Sequence, residues 1–207
     1  MTNHARQERS ALADLLERVG PDAPTCCAGW STRDLAAHLV LRDRRLDAVP
    51  GILGGPLDGH AERVRRSLRA RDYRELVTQV RGGPPPWNPL ALPALDRPVN
   101  TLEYFVHHED VRRAQPSWQP RTLDPGLETA LWGALRPGAR LLMRRSPVGV
   151  VLEGPGGRLI TARAGSPSAT LRGAPGELVL VVFGRGRVAR FEADGDPEPI
   201  LSAHLGP

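Results

Sequence analysis

The chain has 207 residues, room for one large domain or two small ones, and its 40% hydrophobic content can build a core although aromatics supply only 4%. All 28 basic residues are arginine, set against 23 acids for a net charge of +5. The lack of lysine excludes Schiff-base chemistry and a P-loop lysine, and no apolar run reaches the roughly 18 residues that suggest a membrane span.

The arginines are scattered among acids. Arg63, Arg65, Arg66, Arg69 and Arg71 are interleaved with Glu62 and Asp72, which reads as a solvated helix face and not as a nucleic-acid surface. The first residues are polar and then amphipathic, unlike a signal peptide, so a cytoplasmic protein is expected. Cys26 and Cys27 are adjacent, which disfavours a disulfide between them and fits a reducing compartment. Cys27 is expected to pack near Trp30.

Residues 3–18 repeat apolar positions at helical spacing (Ala5, Leu12, Leu15, Leu16) and end at Gly20-Pro21. A second helix is expected from Ser31, a good N-cap with Asp34 three positions on, to about Val49. His38 falls on its apolar stripe with Leu35, Leu39, Arg42 and Leu46, so it should point inward. Residues 58–81 read as a third helix with a possible break at Arg71-Asp72. Prolines and glycines then build a loop of about 18 residues, a length often reserved for function.

A fourth helix is expected over about 101–114, with Asn100 as its cap and Glu103 completing a capping box. Glu103 and His107 are four apart, so both leave the same face one turn apart. A carboxylate and an imidazole so placed can hold one metal ion. Asp110, three beyond His107, can reach back to orient the ring. His108 diverges from His107 by about 100° and is read as a lining residue. The third ligand is sought at His38.

From Trp118 the pattern changes. Asp124-Pro125 opens a connecting helix reaching about 144–146, with a disturbance expected at Pro137-Gly138. Strands are expected at 148–153, 158–164, 168–172 and 188–193, with 174–183 either helix or strand and a short helix at 196–204. Helices first and a small α+β unit after them give an α+β fold, divided into domains 1–120 and 121–207.

Three segments resemble one family. Cys27-Ala28-Gly29-Trp30-Ser31, Arg33-Asp34-Leu35 and His38-Leu39 are similar to the second-helix signature of mycothiol-dependent maleylpyruvate isomerases, which are DinB-like four-helix bundles. Glu103, His107 and Asp110 are similar to the family's later glutamate–histidine motif. Gly176-Glu177-Leu178 through Phe183-Gly184-Arg185 looks like its C-terminal sterol-carrier-like α+β domain. The resemblance implies a divalent metal, usually zinc, on His38, Glu103 and His107, a mycothiol-type thiol as cofactor, and a substrate-anion role for Arg185. The double histidine and paired arginines of 100–113 suggest a metal-binding branch of that family rather than the isomerase itself.

Two histidines and one carboxylate leave a coordination position open, as in catalytic zinc sites. The leading expectation is a metal-dependent thiol transferase or isomerase acting on a small electrophile. The alternative is a non-catalytic protein that binds a small apolar ligand and keeps a structural or vestigial metal site. Neither nucleic acid nor membrane is an expected partner.

Overall fold

The computed structural model describes residues 3–52 and 57–203. The chain divides into two compact units that meet in sequence at Pro120 and Arg121.

The first unit is helical. α1 (His4–Val19) starts where the Asn3 side chain accepts from the Arg6 N–H, and it stops at Gly20, whose φ of 81° suits glycine. The Gly20 carbonyl accepts hydrogen bonds from the Thr32 hydroxyl at 2.5 Å and the Tyr73 hydroxyl at 3.2 Å. One carbonyl therefore ties the end of α1 to the starts of α2 (Thr32–Arg44) and α5 (Tyr73–Gly82). At the head of α2, the Ser31 N–H and hydroxyl both donate to Asp34 Oδ2. This is the predicted cap.

α2 ends at Arg44, short of the expected Val49, and a separate short helix α3 (Val49–Ile52) follows. The third predicted helix is two helices, α4 (Asp58–Arg69) and α5. The break falls where expected, with Asp72 accepting from the Glu75 N–H to cap α5. α7 (Thr101–Arg113) packs closely on α1. Leu12, Leu16, Leu35, Leu39, Leu76, Val80, Tyr104 and Val111 fill the shared core.

The long loop is partly ordered into α6 (Pro93–Leu95) and a wide π-type turn over Asp96–Asn100. That turn overturns the expected capping role of Asn100. Its backbone is already helical (φ −74°, ψ −25°), so its side chain is not placed to cap α7. The Asn100 amide instead donates to the Leu90 carbonyl and to Asp96, while its oxygen accepts from Arg42.

The second unit opens with α8 (Pro125–Leu142), capped by Asp124 as expected. Pro137 lies inside this helix without ending it. A four-stranded sheet follows in the order β2-β1-β3-β4. β1 (Gly149–Gly154) pairs antiparallel with β2 (Arg158–Arg163) and parallel with β3 (Ser168–Arg172), which in turn pairs antiparallel with β4 (Glu192–Asp194). Val150, Leu152, Ile160, Ala162, Ala169 and Leu171 alternate with more exposed residues and give the sheet one buried face.

The ambiguous stretch 174–183 is a helix, α9 (Pro175–Val182), with proline in its first turn and apolar side chains buried almost all round. It packs on α8 and β1. At Gly154 the Trp132 ring occupies the place of a Cβ, so the strand needs glycine there. The last strand is shorter than predicted, since Gly186–Val188 forms a tight helical turn. α10 (Glu198–Leu201) sits within the expected terminal helix, whose end at His204 lies outside the described residues. Helices first, then a small α+β unit, is the predicted fold class.

Candidate metal centre

α2 contributes His38 and α7 contributes Glu103 and His107. Both imidazoles turn Nε2 toward one atom, Glu103 Oε1, at 3.4 Å from His38 and 3.3 Å from His107. The three donor atoms lie within 4.8 Å of one another. Both histidines are buried, and the Glu103 side chain keeps 18% exposure.

The spacing fits a metal. Good N–H···O bonds to a carboxylate run about 2.7–2.9 Å, and both contacts are longer. Donors about 2.0–2.1 Å from a tetrahedral zinc stand about 3.3–3.4 Å apart. The donor chemistry agrees, since two imidazoles and a carboxylate suit zinc and similar divalent ions.

The charges around the cluster are fixed by burial and partners. Burial pushes the Glu103 carboxyl up, but the Arg42 guanidinium and the two histidines outweigh it and hold it well below the usual carboxylate range. Burial also dominates at His38: it lowers the ring's pKa against the pull of Glu103 and favours the neutral form. His107 moves the other way. Burial opposes its proton, yet hydrogen bonds with Asp110, Cys27 and Glu103 raise it well above the ordinary imidazole range. A metal at Nε2 would therefore compete with a proton for this ring.

Two further layers support the triad. His107 Nδ1 lies 2.9 Å from Asp110 Oδ2, the contact its i+3 spacing predicts, and Cys27 Sγ lies 3.1 Å from the same oxygen. On the other side, Arg42 Nε approaches Glu103 Oε1 at 3.5 Å. The Arg42 fork donates to Asp43 Oδ1 at 3.1 Å and Asn100 Oδ1 at 2.8 Å. Tyr104 donates to Asp43 Oδ2 at 2.8 Å, and the Asn88 amide donates to the Asp43 carbonyl. The long loop thus locks onto α2 through Asn88 and Asn100.

The structure brings His38, Glu103 and His107 together. His108 turns away, its Nδ1 2.9 Å from Glu8 Oε2 on α1, where it clamps the two helices. Arg185 belongs to the second unit, half-buried, with its guanidinium donating to the Phe183 carbonyl. Sequence reasoning placed Arg42 only on an apolar stripe. Its position one turn beyond His38 was the available signal, because that turn carries a side chain to the same site. Nothing local announced the Cys27–Asp110 contact. Neither cysteine is in a disulfide, and Cys27 and Trp30 both pack at the core margin.

Residues 5–83 match the family model described as the mycothiol maleylpyruvate isomerase N-terminal domain. That segment includes Cys27, Trp30 and His38 and ends before Glu103 and His107. Among curated proteins none matches the chain. Among solved structures, the mycothiol-dependent maleylpyruvate isomerase is similar at a TM-score of 0.60 and 15% identity, covering 95% of this chain and 93% of that one. A histidine-to-alanine mutant of the same isomerase gives a TM-score of 0.61 and 16% identity over the same shares. Among the described residues no helix is long and apolar enough to cross a membrane. Residues 5–83 are therefore similar to the mycothiol maleylpyruvate isomerase N-terminal domain, and nearly the whole chain shares the fold of the mycothiol-dependent maleylpyruvate isomerase.

Proposed function

We propose that this protein is a metal-dependent thiol S-transferase or isomerase, with His38, Glu103 and His107 as ligands of a divalent ion, zinc by preference. The observation that carries the reading is the convergence of both Nε2 atoms on one Glu103 oxygen at metal-ligand spacing. The solved structures of the same fold belong to a mycothiol-dependent isomerase, which supports a mycothiol-type thiol as the second reactant. When bound, the ion supplies Lewis acidity that lowers the pKa of a thiol toward neutrality.

The chain's own residues then have distinct tasks. Asp110 holds the Nδ1 side of His107, which leaves Nε2 to face the site. Arg42 keeps Glu103 ionised and fixed in a buried setting. The reaction class is thiol addition to a small electrophile, giving either a conjugate or, after bond rotation and elimination, a cis/trans isomer. Arg185 is proposed to bind a carboxylate of substrate or thiol through its forked guanidinium.

The test is to load the protein with zinc and follow thiol consumption and isomerisation of an unsaturated dicarboxylate in the presence of mycothiol. Thiol-dependent turnover in the wild type, lost in His107→Ala, is the expected result. Stoichiometric zinc with no thiol chemistry, together with tight binding of an apolar ligand, would replace the enzyme with a binding protein.

A further inference from the structure

We propose that Cys27 is a positioning residue for the metal centre, holding Asp110 so that His107 presents Nε2 to His38 and Glu103. This rests on reading His38, Glu103 and His107 as metal ligands. His107 stands between two donor clusters. Its Nε2 side faces His38 and Glu103, and its Nδ1 side faces Cys27 and Asp110, and each trio could hold an ion. A neutral imidazole has one lone pair and one N–H, so it serves one cluster with metal and the other with a proton.

The geometry decides which. The Nδ1 contact to Asp110 is 2.9 Å, a normal charge-assisted hydrogen bond, whereas the Glu103 contacts of 3.3 and 3.4 Å are long for one. With a metal bound, the proton therefore stays on Nδ1 beside Asp110 and Nε2 offers the lone pair. Asp110 is 1% exposed, and a carboxylate so buried needs donors. Cys27 supplies one, its thiol donating to the Asp110 oxygen that also faces His107.

Cys27 itself is held by its loop. The Cys26 N–H donates to the Asp110 backbone carbonyl at 2.9 Å. The Thr25 hydroxyl accepts from the Cys27 N–H and donates to the Trp30 carbonyl, and the Trp30 N–H donates back to the Cys27 carbonyl. The same loop runs through the Ser31–Asp34 cap into α2, which carries His38. One braced loop thus sets both the start of the His38 helix and the carboxylate that orients His107.

The experiment uses the full chain loaded with cobalt(II) in place of zinc. Wild type, Cys27→Ser, Cys27→Ala and His38→Ala are compared by chelator competition, visible absorption and thermal unfolding. The wild type should show cobalt ligand-field bands without a thiolate-to-cobalt charge-transfer band. Cys27→Ala should bind about tenfold more weakly with altered band shape, as removal of groups behind a ligand typically does. Cys27→Ser should recover most of the affinity, since its hydroxyl can donate to the same oxygen.

Three results overturn the proposal. A charge-transfer band in the wild type would make Cys27 a ligand. Wild-type affinity and spectrum in Cys27→Ala would reduce it to packing. An equal loss in Cys27→Ser and Cys27→Ala, at unchanged melting temperature, would sink the donor role. Cobalt bound by the wild type and lost in His38→Ala keeps the metal reading alive in each of these cases. A wild type that binds no cobalt at all defeats that reading and the proposal with it.

Discussion

Arg42→Met separates folding from metal binding at this site. The wild-type guanidinium is buried, donates to Asp43 and Asn100, and sits 3.5 Å from Glu103. Methionine keeps the bulk of the stem and removes the charge and all donors. Asp43 keeps the Tyr104 hydroxyl at 2.8 Å but loses its countercharge. Removing one partner of a buried ion pair costs about 3–5 kcal/mol. Burial already pushes the Asp43 carboxyl up, against Arg42 and Tyr104, so without Arg42 it takes up a proton and the loss falls toward the lower end.

At about 2–4 °C per kcal/mol for a chain of this size, the metal-free variant should melt roughly 6–12 °C below wild type. A divalent ion on Glu103 replaces part of the missing positive charge. The metal-loaded variant should therefore recover about 1–2 kcal/mol, and by linkage its metal affinity should rise about five- to thirtyfold. Circular-dichroism melts with chelator and with zinc, beside a zinc titration, read both effects. A metal-free melting point within about 2 °C of wild type, or an affinity that falls along with stability, would refute the charge balance drawn around Glu103.

Two other perturbations have definite outcomes. Burial raises the Asp34 carboxyl, but the bonds from Ser31 and Arg65 and the charge of Arg69 outweigh it, so its folded pKa lies below the ordinary value. Its stabilisation is then complete above the unfolded pKa of about 3.9 and is lost as pH falls through the folded value. Asp34→Asn should cost about 1–2 kcal/mol at pH 7, the worth of a good cap, and urea melts should show the gap to wild type closing in acid. A gap independent of pH would disprove the assignment. His108→Ala removes the 2.9 Å contact to buried Glu8 and should cost about 1–3 kcal/mol, while zinc stoichiometry stays at the wild-type value. Loss of zinc in that variant would mean that the double histidine had been assigned the wrong way round.

What could be read from the sequence was local. Glu103, His107 and Asp110 meet through helical spacing alone, and His38 was drawn inward because it shares a stripe with Leu35 and Leu39. The missed contacts join distant segments. Cys27 meets Asp110 across 83 positions, and Glu8 meets His108 across 100, so no periodicity could report them. Asn100 fits the pattern of a cap, yet the pull of Arg42 and the Leu90 carbonyl draws its side chain elsewhere. The parallel pairing of β1 with β3 likewise depends on tertiary packing, and the sequence marked only their lengths. α9 was ambiguous because it is buried almost all round, which erases the helical stripe.

The measurement that bears most directly on the central claim is the metal content of the purified, untagged protein after zinc-replete expression, beside His38→Ala and Glu103→Ala. About one zinc per chain, lost in both variants while their far-ultraviolet circular dichroism is unchanged, is the predicted result. No stoichiometric metal in the wild type, or zinc that survives both substitutions, would contradict it.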